Sequence, residues 1–299
     1  MKRPLWMAYL LLTLTVLFWA GNFILGRGIR QMIPPVSLNF WRWVGALTIL
    51  LPFGLPRLWR QRQLLFKHWK LVALLSIPAI VCFNAFIYKA LQTTTAINTT
   101  LVNAMIPVFI ALIAWAVYGE RLGAGQLTGV LISFLGLLFI VTRGELMLLK
   151  GLTLSAGDLW TLGASFAWAT YSVALRKRPE AMDPIAFLTL LILFGLLLSL
   201  PWYLWELADV GGFDLTTETV ASMAYVALFP SVLSFIFWNS SVEQVGANRA
   251  GIFIHLMPVF SILLAIAFLD ERLQAFHVAG IGLIFSGIVL TTWPRRTGG

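Results

Sequence analysis

Residues 101–122 read LVNAMIPVFIALIAWAVYGERL, and residues 252–273 read IFIHLMPVFSILLAIAFLDERL. Each is an apolar run of helical length with a proline near its middle and a Glu-Arg-Leu turn at its end. Pro107-Val108-Phe109 returns as Pro258-Val259-Phe260, and Glu120-Arg121-Leu122 as Glu271-Arg272-Leu273, both 151 residues later. Gly129 with Gly280 and Gly136 with Gly287 share that offset. Upstream the offset is 149: Trp19-Ala20 matches Trp168-Ala169, Pro35 matches Pro184 and Pro52 matches Pro201, so a two-residue insertion after Pro201 reconciles the two series. An ordered set of matches at a fixed period marks an internal repeat. The chain reads as two halves, 1–150 and 151–299, that together make one transmembrane domain.

The apolar character extends well beyond these stretches. Of 299 residues, 60% are hydrophobic and 11% charged, and the mean hydropathy is +0.88. A soluble domain carries roughly 45–50% apolar and about 25% charged residues, so this chain belongs in a membrane. Apolar stretches against charged punctuation predict ten spans, at 5–26, 36–56, 71–91, 97–118, 125–142, 157–175, 184–205, 219–242, 248–269 and 275–293. Nothing remains for a soluble domain, which excludes a nucleotide-hydrolysing module. The first span follows Lys2 and Arg3, but its long apolar run and the lack of a small-residue cleavage site predict a retained helix. The net charge of +9 sits in short loops and forms no continuous basic face, so nucleic acid is not an expected partner. The single cysteine, Cys82, can form neither an intramolecular disulfide nor a thiolate metal site, and no metal or cofactor is expected.

With a cytoplasmic amino terminus, fourteen of the 21 Lys and Arg residues fall on the inner side, among them Arg57, Arg60, Arg62, Lys67, Lys70 and Arg176 to Arg178. Five fall outside (Arg27, Arg30, Arg143, Lys150 and Arg272), and Arg42 and Lys89 lie within spans. This bias predicts both termini in the cytoplasm. The stretch from Glu206 to Glu218, acidic and without a basic residue, fits an outer loop. Five spans per half is an odd number, so the second half enters the bilayer from the opposite side. An inverted repeat supports two conformations of similar energy, one open to each side, which is the geometry of alternating access.

Ten spans, a mid-span proline in the fourth helix of each half and the acidic-Arg-Leu turn after it resemble the drug/metabolite transporter superfamily, and within it the EamA group. The resemblance covers nearly the whole chain in two copies, through Trp19-Ala20-Gly21-Asn22, Pro107 to Leu122, Trp168-Ala169 and Pro258 to Leu273. Size and aromatic richness make the chain most similar to the YddG-type aromatic amino acid exporters of bacteria. The resemblance implies a transporter of the bacterial inner membrane, and export is implied by it alone.

Several residues are candidates for the transport pathway. Pro107 and Pro258 remove a backbone N–H and are expected to kink their helices as hinges, freeing the carbonyls of Asn103 and Ile254. Asn22, Gln92, Asn98, Asn103 and Asn239 are amides in or at the ends of spans, and they should face inward, toward another helix or toward a wet cavity; Asn22 and Asn103 rank first for the cavity. Trp19, Phe83, Tyr88, Trp168, Tyr171 and Trp238 lie on the first and third helices of the halves. Most of the 13 tryptophans read as interfacial anchors, whereas Trp19 and Trp168 recur in equivalent positions and either pack the core or line a pocket. Lys89 either snorkels to the head groups or turns inward to a substrate carboxylate. His255 reads first as a hydrogen-bonded core residue, with proton sensing as the alternative. All twelve acidic residues occupy loops or span ends, which leaves no mid-membrane carboxylate to relay protons. Gly125, Gly129, Ser133 and Gly136 form a small-residue face on the fifth helix, partly repeated by Gly280, Ser286 and Gly287 on the tenth, and predict close packing of those two helices.

These readings lead to an all-α membrane protein of ten transmembrane helices, two inverted five-helix repeats around a central cavity lined mainly by helices one, three, four, six, eight and nine. The expected partners are a small-molecule substrate and membrane lipid, and the protein is expected to be a monomer because the repeat already supplies two halves. A small amphipathic metabolite is the expected substrate, an amino acid with an aromatic or large apolar side chain before a nucleoside or a lipophilic compound. An intramembrane enzyme is disfavoured, since the spans hold neither a His-Glu-x-x-His motif nor paired mid-span aspartates. A channel is disfavoured because no filter or charged ring occurs.

Overall fold

The protein, described by a computed structural model over residues 4–94, 96–145, 155–269 and 274–292, contains only helices as regular elements in those segments. In chain order they are α1 (Leu5–Gly28), α2 (Pro35–Arg60), α3 (Arg62–Ser76), α4 (Phe83–Thr93), α5 (Ala96–Asn103), α6 (Ile106–Tyr118) and α7 (Ala124–Val141), then α8 (Ala156–Ala174), α9 (Pro184–Val210), α10 (Thr217–Ala227), α11 (Ser234–Val245), α12 (Ala247–Gly251), α13 (Met257–Leu269) and α14 (Ala275–Thr292). Among the described residues, nine helical stretches are long and apolar enough to cross a bilayer. The sixth expected span, α8, forms a helix but is not one of the nine. It carries Asp158, Thr161, Ser165, Thr170 and Ser172, and it packs on α4, α5 and α6. A helix largely enclosed by protein does not need lipid-facing apolarity along its whole length.

The third and eighth spans are longer than the sequence suggests, running from Arg62 to Thr93 and from Thr217 to Val245. Each passes through one wide π-helical turn, Ile77–Cys82 or Leu228–Leu233, where the N–H of Phe83 or Ser234 reaches five residues back to the carbonyl of Pro78 or Phe229. Pro78 and Pro230 are the local cause: proline cannot donate to the carbonyl four residues earlier, and the helix widens to absorb the mismatch. Pro230 leaves the Val226 carbonyl without its helical donor, and the Ser231 hydroxyl takes that place at 2.6 Å.

Pro107 and Pro258 behave differently from the expected kinks. Both begin new helices, α6 and α13, after a break at Ala104-Met105 in one half and a 3-10 stretch, Ile252–Leu256, in the other. Proline costs little in a first turn, where its N–H would have no helical acceptor. The carbonyl exposed at the first break belongs to Ala104, and it accepts from His255 Nε2 at 3.1 Å.

The helices pair across the middle of the chain: α1 with α11, α2 with α9, α4 with α8 and α7 with α14. In the last pair the backbones touch. A Cβ added at Gly136 would lie 2.7 Å from the Gly280 carbonyl oxygen, and one at Gly280 would lie 2.7 Å from that of Gly136. A Cβ at Gly129 would meet the Gly287 oxygen at 2.5 Å, whereas one at Gly125 would find its nearest neighbour, the Leu290 carbonyl, at an ordinary 3.7 Å. α1 and α11 run antiparallel, with Ser241 bonded to the Ala8 carbonyl and Ser234 to that of Thr15. The end of the bundle where α1 begins, called the near end below, therefore also holds the end of α11.

Glu206 departs from the outer-loop reading. It lies within α9 and is buried, and its carboxylate accepts the N–H groups of Val36 at 3.0 Å and Ser37 at 2.6 Å, together with the Ser37 hydroxyl. α2 begins with Pro35 and has unpaired N–H groups at its start, to which an anion is the natural cap. The turn Glu271-Arg272-Leu273 lies outside the described residues.

Candidate functional site

Six aromatic side chains from both halves meet in the middle of the bundle. Trp168 of α8 is the hub, with ring centroids 4.9 Å from Trp19 and Phe83, 5.3 Å from Phe235 and 5.4 Å from Tyr171 and Trp238. Trp19 and Trp168 meet edge to face at 89°, the arrangement that puts a positive ring edge on a negative ring face. The rings are packed shut: Trp168, Tyr171 and Trp238 have no exposed surface. Most polar ring atoms are satisfied, Trp19 Nε1 by the Pro230 carbonyl, Trp238 Nε1 by the Ser172 hydroxyl and the Tyr171 hydroxyl by Asn239 Oδ1. Trp168 Nε1 is buried without a hydrogen-bond partner. A buried orphan donor is uncommon in a folded protein and is available to a ligand.

One turn further along α1 from Trp19 lies a polar layer. Arg42 of α2 is completely buried; its Nε donates to the Ser231 hydroxyl at 2.9 Å and its Nη1 to the Tyr88 hydroxyl at 2.8 Å. Tyr88 in turn donates to Asn22 Oδ1 at 2.7 Å. The guanidinium also stands 5.1 Å from the Trp43 ring centroid. Four segments, α1, α2, α4 and the turn at Leu228–Leu233, are thus tied together. Arginine near a helix centre costs about 2.5–3.5 kcal/mol to insert into a membrane, and it cannot shed its proton. α2 is also anchored to the other wide turn, since Asn39 Nδ2 donates to the Ile80 carbonyl at 3.2 Å while Asn39 Oδ1 accepts from Trp43 Nε1. It is therefore held between two proline-widened turns.

On the opposite side of the rings a cleft of about 280 Å³ opens at the near end, lined by Tyr118, Glu120, Ser172, Arg176, Arg178 and Glu243 among others. Two ion pairs cross it. Arg176 with Glu120 joins the end of α8 to the end of α6, and Arg178 with Glu243, at 2.5 Å, joins it to α11. Ser172 belongs both to the cleft wall and to the aromatic cluster through Trp238. From the far end inward the order is polar layer, rings, cleft.

The structure brings together Trp19, Phe83, Trp168, Tyr171 and Trp238, places Asn22 and Tyr88 directly above them, and sets Asn239 beside Tyr171. It does not bring in Lys89, whose side chain is exposed. Nor does Gln92 face inward; it is exposed, with its amide 3.5 Å from the Arg30 carbonyl. The Asn98 side chain lies outside the described residues. Asn103, His255 and Pro258 gather at the two helix breaks, where Asn103 Oδ1 accepts from Ser165 and His255 Nδ1 lies 2.6 Å from the Ser133 hydroxyl. The Ala104 carbonyl can only accept, so His255 Nε2 carries its proton. A space of about 10 Å³ lies beside Asn103, Ala104 and Pro258, too small for a solute. Sequence reasoning passed over Arg42, Ser231, Asn39 and Phe235. Arg42 carried a signal of its own: an ionisable residue inside a span marks a functional site by default. Asn39 carried the same signal as the other amides within spans, since it lies in the expected span 36–56, whereas Ser231 carried none, because its importance comes from the turn it plugs.

The model of the EamA-like transporter family matches this chain twice, over residues 6–142 and 155–293. The chain is 27% identical over 290 residues to an uncharacterized transporter of Archaeoglobus fulgidus, covering 95% of this chain and 96% of that one. It is 25% identical to the uncharacterized transporter YyaM of Bacillus subtilis, covering 96% and 94%. It is 24% identical to a protein of Salmonella typhimurium named as a probable amino-acid metabolite efflux pump, covering 95% and 94%. A solved crystal structure, 19% identical, superposes with a TM-score of 0.78 over 95% of this chain and 96% of its own, which shows a shared fold.

Proposed function

This chain belongs to the EamA-like transporter family and is a multi-pass membrane transporter, and we propose that it exports small amphipathic metabolites, aromatic and other large apolar amino acids first among them, by alternating access. The carrying observation is the ring cluster drawn from both halves around Trp168, which has an unspent N–H and lies between a sealed polar layer and an open cleft. Parting these rings would make an apolar, aromatic-lined site closed on one side and approachable from the other. The pairing of helices supports the inverted relation: exchanging the halves converts first-with-eighth into sixth-with-third and leaves second-with-seventh and fifth-with-tenth unchanged. The near end, rich in arginine, is assigned to the cytoplasm of a bacterial cell, so that the cleft faces inward and both termini are cytoplasmic. The relative named as an amino-acid metabolite efflux pump supports the direction. The solute crosses without chemical change, and no cofactor takes part.

Proteoliposomes preloaded with labelled phenylalanine or tryptophan test this. The expected result is saturable release, accelerated by unlabelled substrate on the opposite side, as a carrier requires. Release equal to that of protein-free vesicles for every aromatic and large apolar amino acid overturns the substrate class.

A further inference from the structure

We propose that Arg42 is the anion-binding group of the transport site, so that the solute recognised there is an aryl-bearing carboxylate and its ammonium group is dispensable. The proposal rests on the transport reading above and adds to it which end of the solute is read. Arg42 is a permanent cation with no exposed surface. Among the described residues no carboxylate lies within 4 Å of it. Its hydrogen-bond partners are two neutral hydroxyls, and the hydroxyl protons of both point elsewhere, Tyr88 toward Asn22 and Ser231 toward the Val226 carbonyl. They offer lone pairs and no charge. Buried charges are ordinarily paired, and the acids buried in the described residues, Asp158 and Glu206, are held elsewhere: Glu206 by the start of α2, Asp158 at the start of α8 and by Thr94. The counter-charge is thus left to a solute.

The placement fits. Ser231, which holds Arg42, follows directly on Pro230, whose carbonyl holds the Trp19 indole, and Asn22 is one turn from Trp19 on α1. Charge and rings are consecutive layers, about one helical turn apart along α1, and under the proposal they receive the carboxylate and the aromatic ring of one small molecule. The same layers offer no buried carboxylate for an ammonium group. Aromatic amino acids and their deaminated acids are therefore both ligands, while aromatic amines are not.

Binding to the purified full-length protein at pH 7 is read as a ligand-induced thermal shift and converted to Kd. The probes are L-phenylalanine, 3-phenylpropionate, L-phenylalaninamide, phenethylamine and n-hexanoate. The expected result is that both aryl acids bind at least roughly tenfold tighter than the amide and the amine, that Arg42→Gln brings the acid-to-amide ratio close to one, and that Arg42→Lys keeps part of it. A merely structural Arg42 would lower stability in all states and leave that ratio alone. Amide and amine binding as tightly as the acids, or an unchanged ratio in a folded Arg42→Gln protein, overturns the proposal and leaves the transport reading standing. Hexanoate bound in preference to both aryl acids upholds the anion site and overturns the aromatic reading. No binding by any carboxylate overturns the proposal. Should Arg42→Gln fail to fold, the ligand series on the unaltered protein decides.

Discussion

The seam between α7 and α14 and the ring cluster around Trp168 are both buried, and they are built on opposite principles. In the seam glycines bring backbone against backbone, and Gly136 and Gly280 each leave no space for a methyl group before the carbonyl of the other. The glycine-to-carbonyl approaches there are set by backbone atoms, which have no rotamer to change. The cluster is made of large rings joined by few polar contacts, one of them with an unpaired N–H, and it is bounded by a charge without a counter-charge. Close-packed small residues hold one arrangement, whereas rings with unspent bonding capacity can part for a guest. Under the proposed function, rigidity and opening fall to different helix pairs.

The contrast can be broken most severely at the seam. Gly287→Val would drive a side chain into Ser133, whose Cβ would stand 2.7 Å from the new Cβ. Overpacking of this kind costs roughly 1–3 kcal/mol or more, and the expected result is loss of monodisperse protein on size exclusion. A protein of unchanged melting temperature would show that the helices can separate freely. In the cluster, Trp168→Phe removes a donor that bonds nothing within the protein, so the expected loss is about 1–2 kcal/mol of packing with a several-fold rise in KM for aromatic substrates. A KM equal to that of the original protein would place the solute away from this ring. The smallest effect is expected for Gly125→Ala, where the added methyl group meets its nearest neighbour at 3.7 Å. Stability should stay within about 0.5 kcal/mol, and a larger loss would extend the seam one turn beyond Gly129.

Particular residues show where sequence reading reached and where it stopped. Gly129, Gly136, Gly280 and Gly287 were legible because small residues at helical spacing on two matched spans leave few alternatives to a close crossing. Trp19 and Trp168 were legible as a pair through the repeat, although which of the two possible fates they met was not. The third-helix prolines, Pro78 and Pro230, were overlooked because they do not fall at the offsets that brought Pro107 and Pro258 to notice. Lys89 was set beside Tyr88 by adjacency in the chain, yet neighbours on a helix point about 100° apart. One faces Arg42 and the other is exposed.

By itself the sequence determined that this protein lives in a bilayer, that several of its motifs recur at a nearly fixed offset and to which broad class of membrane protein it belongs. Those properties are local or periodic: apolar length, charge placement and recurrence survive in one dimension. Only the tertiary structure decided that Asn22, Arg42, Tyr88 and Ser231 share one layer and that His255 closes a break at Ala104 instead of meeting the rings. These partners are tens to nearly two hundred residues apart. What joins them is the crossing of helices, which depends on the packing of every face at once and is written in no single segment.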